Sequence, residues 1–192
     1  MKRPLLLIDV DGVISLFGFD PARPPDGTFQ FVDGIAHFLS ARAGALLLEL
    51  AEWFEPAWCT GWEEKANEYL PGALGLPGSW PHLELGGLGS GAARHWKLDA
   101  IERYAGELRP VAWIDDAHDE RCRSWAADRP GPTLLVGTDP AVGLTSEQVR
   151  ELVAWAQTLA ETENTGGSSE AMADQVAPAS PEPKISPVVD PK

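Results

Sequence analysis

Four groups of residues carry the chemistry this chain could do: Asp9 with Asp11, Thr60 with Gly61, Lys97, and Asp115 with Asp116 and Asp119. Asp9 and Asp11 stand two apart directly after an apolar run, so strand alternation aims both to one side with Val10 opposed. Two carboxylates that close repel each other unless a cation lies between them or one keeps a proton. The second acidic group, at the end of what reads as a neighbouring strand, completes an all-oxygen donor set of the kind that suits Mg2+. Each group alone has a plainer reading: acids after a strand cap turns or helices, Thr60-Gly61 starts a helix, and Lys97 lies on a solvated helix face. Their order along the chain argues otherwise, because three of the four groups directly follow an apolar strand.

Bringing these residues together requires a scaffold, and the alternation of elements supplies one. Pro4 to Val10 reads as a strand, its apolar run interrupted only by Asp9 near the end, as in a strand buried on both faces. Thr28 to Val32 alternates as a strand, Leu46 to Phe54 reads as a helix, and Pro56 to Cys59 as a short strand leading into Thr60. Trp62 to Leu70 reads as a helix. Residues 71 to 91 hold ten Gly or Pro in 21 positions and read mostly as loop. A further helix is expected over Ala92 to Ala105, with Ala93, Trp96, Ala100, Ile101 and Tyr104 on one face. Val111 to Ile114 and Thr133 to Val136 read as strands. The last helix opens with Thr145 and Gln148 as a capping box and buries Val149, Leu152, Val153, Ala156 and Leu159. Strands alternating with helices make an α/β domain around a parallel sheet, whose ligands bind outside the carboxyl ends of the strands.

The 192 residues hold 29 acids against 15 bases, a net charge of −14. That sign disfavours duplex nucleic acid or an anionic membrane as a main partner, since both are held by clustered Lys and Arg. Residues 161 to 192 contain five prolines and no aromatic residue, and read as a disordered acidic tail behind a domain of residues 1 to 160. The tail carries −4, so the domain itself is acidic at −10. Lys2 and Arg3 precede Leu5 to Ile8, but Asp9 cuts this run well short of a signal peptide. Two cysteines without metal-ligand spacing fit a reducing interior, and the expected location is cytoplasmic.

The run LLLIDVDGVI resembles the first motif of the haloacid dehalogenase (HAD) superfamily, whose aspartate nucleophile opens a DxD pair at the end of the first strand. Trp58-Cys59-Thr60-Gly61 resembles its second motif, Lys97 its third, and VAWIDDAHDE its fourth. Through AWCTGWEEKAN, WIDD and TDPAVGLT the nearer resemblance is to uncharacterised bacterial proteins like the HAD domain of Swiss army knife RNA-repair proteins. The resemblance spans residues 4 to 160 and implies a three-layer Rossmannoid fold and a Mg2+-dependent phosphomonoesterase. It implies that Asp9 is the nucleophile and forms an aspartyl-phosphate, while Asp11 is the general acid and offers its backbone carbonyl to the metal. Thr60 and the N–H of Gly61 would hold phosphoryl oxygens at a helix N-terminus, with Lys97 neutralising charge beside Asp9. Mg2+ would bridge Asp9, the fourth-motif acid and the phosphate. In one register Asp116 is the direct ligand and Asp115 supports Lys97 or a metal-bound water, which is the favoured form. In the other, Asp115 binds the metal with Asp119 behind it.

An acid at position 11 points to phosphoryl transfer, since haloacid dehalogenases proper lack it. Cys59, beside Thr60, is turned away by strand alternation and reads as a small buried core residue. His118 reads as capping or solvated in preference to touching substrate. The intervals from Asp11 to Thr60 and from Thr60 to Lys97 leave no room for a large cap domain. Residues 14 to 38 are a flap at most over an open site. The phosphorylated substrate is then a small molecule or a nucleic-acid end. The alternatives are a nucleotidase or phosphotransferase acting on a small metabolite, and a non-catalytic HAD-like binding module.

Overall fold

Four consecutive aliphatic residues with no polar interruption need apolar cover on both faces, and Leu5–Ile8 (β1) has it: every one of its side chains is buried. The computed structural model describes residues 3–86 and 95–170, with side chains of the last helix through Thr162. In it β1 is central, hydrogen-bonded in parallel to β5 (Glu55–Trp58) on one side and β6 (Val111–Asp115) on the other. The strand β7 (Thr133–Gly137) adds to β6, giving the order β5-β1-β6-β7. Alternate residues of β1 feed two cores. Leu6 and Ile8 meet Leu47 and Leu50 of α1 (Ala43–Trp53), Leu70 of α2 (Lys65–Leu74), and Leu152 of α5 (Ser146–Glu170). Leu5 and Leu7 meet Leu98 and Ile101 of α3 (Leu98–Ala105) and Cys122 and Trp125 of α4 (Glu120–Asp128). Each buried Leu or Ile contributes about 1.5–3 kcal/mol relative to exposure. The chain is thus α/β, a parallel sheet flanked by helices on both faces, as its pattern of elements implies.

Where a flap at most is expected over residues 14 to 38, residues 15–40 form a separate antiparallel sheet of three strands, β2 (Ser15–Leu16), β3 (Gly27–Val32) and β4 (Ile35–Ser40), in the order β2-β4-β3. The β3–β4 turn is the two-residue Asp33-Gly34, with φ of 52° and 81°. Such turns match the twist of a hairpin and take Asp-Gly readily. Among the described residues no helix is long and apolar enough to cross a membrane.

Several boundaries differ from the sequence reading. α2 begins at Lys65 instead of Trp62 and continues through Pro71 to Leu74. It stops at Gly75, whose φ of 68° lets its N–H reach the Pro71 carbonyl. α3 begins at Leu98 instead of Ala92; residues 92–94, including Ala93, lie outside those described. Its buried side is Leu98, Ala100, Ile101 and Ala105, with Trp96 partly buried before the helix and Tyr104 exposed. The expected stripe carries helical periodicity across Trp96 and Lys97, which precede the helix. The expected capping box is present: Gln148 N donates to Thr145 Oγ1 at 3.3 Å and Thr145 N to Gln148 Oε1 at 2.9 Å. The chain divides into two units, 1–157 and 158–192. The boundary expected at Ala160 falls inside α5, which runs on to Glu170, because each residue added to a formed helix costs far less than starting one. The rest of the expected tail, 171–192, lies outside the described residues.

Candidate active site

The carboxyl ends of β1, β5 and β6 lie side by side, and each is followed by one of the residue groups singled out above. Asp9 extends the Leu5, Leu7 face of β1, and Asp115 extends the Trp113 face of β6. Both therefore point to the side that carries α3. Lys97 stands at the N-terminal end of that helix, only 2% exposed, with Nζ 2.7 Å from Asp9 Oδ2 and 2.7 Å from Asp115 Oδ2. A buried ammonium between two carboxylates is not a solvated helix lysine, and the plainer reading of Lys97 is set aside. Burial alone would lower its pKa, but Asp9 and Asp115 outweigh that and raise it, so the side chain stays charged.

Asp115 is fully buried and saturated with donors. Oδ2 accepts from Lys97 and from Trp113 Nε1 at 3.1 Å, and Oδ1 from Ala117 N at 2.9 Å. Asp116 is part-exposed, and one of its carboxylate oxygens lies within 4.8 Å of oxygens of Asp9 and Asp115. These three acids are the one group of potential metal ligands found among the described residues. Burial, opposed by Lys97 and aided by Asp115, raises the Asp9 pKa from 3.8 to about 6. Burial and then Asp115 raise that of Asp116. Three carboxylates against one ammonium leave an excess of negative charge, relieved either by protons, as these shifts indicate, or by a hard cation.

Gly12 lets this cluster form. A Cβ there would fall 2.4 Å from Asp116 Cγ, and its φ is 75°, so both space and backbone require glycine. Thr138, after β7, donates to the Gly12 carbonyl at 2.9 Å and ties the turn down.

Alternation does not carry through to Asp11. β1 ends at Ile8 and the chain turns at Gly12, so the Asp11 side chain leaves the carboxylate group. Its Oδ2 instead accepts from Trp62 Nε1 at 3.0 Å, and its Oδ1 lies 3.5 Å from His37 Nδ1. Any metal contact by Asp11 therefore rests on its backbone carbonyl, as the resemblance has it. Thr60 is 1% exposed and follows Cys59, whose N–H donates to the Ile8 carbonyl at 2.8 Å, which sets Thr60 and Gly61 beside the end of β1. They are not at a helix N-terminus as expected. Residues 61–64 form turns, with Glu63 at φ 47° and its carboxylate held by Leu85 N at 2.9 Å, and α2 starts only afterwards. Any anion held by Gly61 meets a turn amide, not the first turn of a helix.

Asp119 caps α4, accepting from Cys122 N at 3.0 Å, and is absent from the carboxylate group. Cys59 is not turned away from the site as expected: it lies among Leu5, Leu7 and Ala57, on the sheet face that Asp9 extends, close enough to feel Lys97 and Asp9. It is fully buried, and burial pushes its thiol pKa up, as fits a core residue. His118 is neither a cap nor solvated. It lies half-buried with its ring edge-on to Trp113 at 4.6 Å, and burial brings its pKa down to about 4.

The residues that the sequence reading passed over are Trp113, Trp62, His37 and Thr138. Trp113 was accessible, since it shares a strand face with Asp115 two positions on. The other three come from loops or from the hairpin, and no spacing points to them. The chain matches no known family model and no curated protein.

Proposed function

We propose that this chain is a Mg2+-dependent phosphomonoesterase that works through an aspartyl-phosphate on Asp9, in keeping with its resemblance to the HAD superfamily. The observation that carries the reading is Lys97 buried between Asp9 and Asp115, with Asp116 as the third carboxylate. A structural ion pair needs one acid per lysine; two acids on one buried lysine, with a third carboxylate within 4.8 Å of both, suit a site that takes up a cation and a phosphoryl group. Asp9, Asp116 and the Asp11 carbonyl would hold Mg2+, which when bound supplies positive charge to the phosphoryl oxygens.

In the first step a carboxylate oxygen of Asp9 attacks phosphorus, and the bond to the leaving oxygen breaks. That oxygen keeps the electron pair and takes a proton from Asp11. Water then attacks the aspartyl-phosphate, giving a proton to Asp11 and releasing phosphate and the Asp9 carboxylate. Lys97 holds Asp9 in place and offsets charge beside the transferring group. Thr60 and the Gly61 amide would hold its oxygens.

The reading is tested with an aryl phosphate. Purified protein is expected to release phosphate only with Mg2+, to lose activity on chelation and to regain it on Mg2+ addition. No metal-restorable turnover would sink it. The two acids after β6 are separated by a second measurement. Titrated with Mg2+ in a calorimeter, Asp116→Asn is expected to bind about tenfold or more weakly. Asp119→Ala, which loosens only the cap of α4, is expected to bind as the parent does. Weakening in the Asp119 variant and none in the Asp116 variant would transfer the ligand role to Asp115 with Asp119 behind it.

A further inference from the structure

Asp11 has a half-exposed side chain, and nothing on its own loop fixes its carboxyl plane. Two other elements do. Trp62, in the turn before α2, donates its indole N–H to Oδ2 at 3.0 Å. His37, on β4 of the hairpin, brings Nδ1 to 3.5 Å from Oδ1 and to 3.0 Å from the hydroxyl of buried Ser15. The two rings support each other, edge to face at 4.5 Å. The hairpin is fastened here a second time, by an ion pair from Asp33 at its tip to Lys65, three residues beyond Trp62.

An indole N–H only donates, so Oδ2 is committed as an acceptor and Oδ1 is the oxygen left to turn to a leaving group. That is the oxygen His37 borders. We propose that His37 and Trp62 are positioning residues for Asp11, so that the hairpin completes the proton donor of the site. The inference rests on the phosphomonoesterase reading. An acid that protonates a leaving group must be held within hydrogen-bond reach in one orientation, and a half-exposed Asp without these partners samples several rotamers.

The prediction is specific to leaving groups that need a proton. It is read from kcat/KM, which covers only the steps through leaving-group departure, with an alkyl phosphate and with dinitrophenyl phosphate, whose phenolate departs unprotonated. His37→Leu and Trp62→Phe are each expected to lower kcat/KM for the alkyl ester about tenfold or more. Both should leave the dinitrophenyl ester within about twofold, which also reports an intact fold. His37→Asn, whose amide reaches the Nδ1 position, is expected to recover most of the loss. Equal losses on both esters, no loss on either, or an Asn variant no better than Leu would overturn the role of His37. If the unaltered protein hydrolyses neither ester with Mg2+, the phosphomonoesterase reading falls and this inference with it. If it hydrolyses both and the variants fail to discriminate, only this inference falls.

Discussion

Asp9→Asn is expected to abolish Mg2+-dependent phosphate release outright, since an amide cannot accept the phosphoryl group as a carboxylate does. Asp11→Asn should also be crippled, because general acid catalysis is worth about 10² to 10⁴ in rate. The two differ in what they can still form. With Asp11→Asn, Asp9 keeps its carboxylate, its contact to Lys97 and its hydrogen bond from Val10 N at 2.8 Å. It should therefore still be labelled by beryllium fluoride and Mg2+, a mimic of the aspartyl-phosphate, whereas Asp9→Asn should take no label. Mass spectrometry of a trapped phosphoryl adduct locates the acceptor. An adduct on any residue but Asp9 would remove it from the nucleophile's role. The folds of both variants should survive, as Asn is isosteric with Asp and Asp9→Asn removes one of three crowded carboxylates.

The second large effect is on stability. Lys97→Met preserves most of the buried volume but leaves Asp9 and Asp115 facing each other without a counter-charge. Stranding buried charge in this way costs about 3–5 kcal/mol. For a domain of this length that is a fall in Tm of roughly 10 °C, readable by calorimetry. The deficit depends on pH with a definite sign. Asp9 holds its proton at about 6 in the fold against 3.8 as a free side chain. A group that binds its proton more tightly when folded adds stability as pH falls through that window. Without Lys97 the proton is held more tightly still. The variant's deficit should therefore narrow between about pH 7 and pH 5, and Mg2+ at neutral pH should narrow it too. A deficit independent of both pH and Mg2+ would mean that Lys97 acts by packing alone.

What the sequence could and could not determine divides along the range of the interactions. The fully apolar run Leu5 to Ile8 announced a central strand because a strand buried on both faces has no polar position to spare. The Thr145–Gln148 box marked the start of α5 because it is closed by hydrogen bonds between residues three apart. Asp9, Lys97, Asp115 and Asp116 were legible as a group because each lies where a strand or helix begins or ends, and parallel strands carry those ends to one side. Of the hairpin the sequence reading covers only one strand, Thr28 to Val32; the turn at Asp33-Gly34 and its partner strand came from the structure. The partner strand from Ile35 to Ser40 lacks a clean alternation, since Ile35 and Ala36 are exposed while Phe38, Leu39 and Ser40 are all buried. Only the folded chain decided that Asp11 parts from Asp9, because the turn at Gly12 breaks the period that strand alternation assumes. It alone decided that Asp115 is saturated by Lys97, Trp113 and Ala117 while Asp116 stays part-exposed beside Gly12. It also decided that a histidine 26 residues from Asp11 borders that acid. These are contacts between side chains on different elements, whose distances follow from how the elements pack, and no local spacing in the chain encodes them.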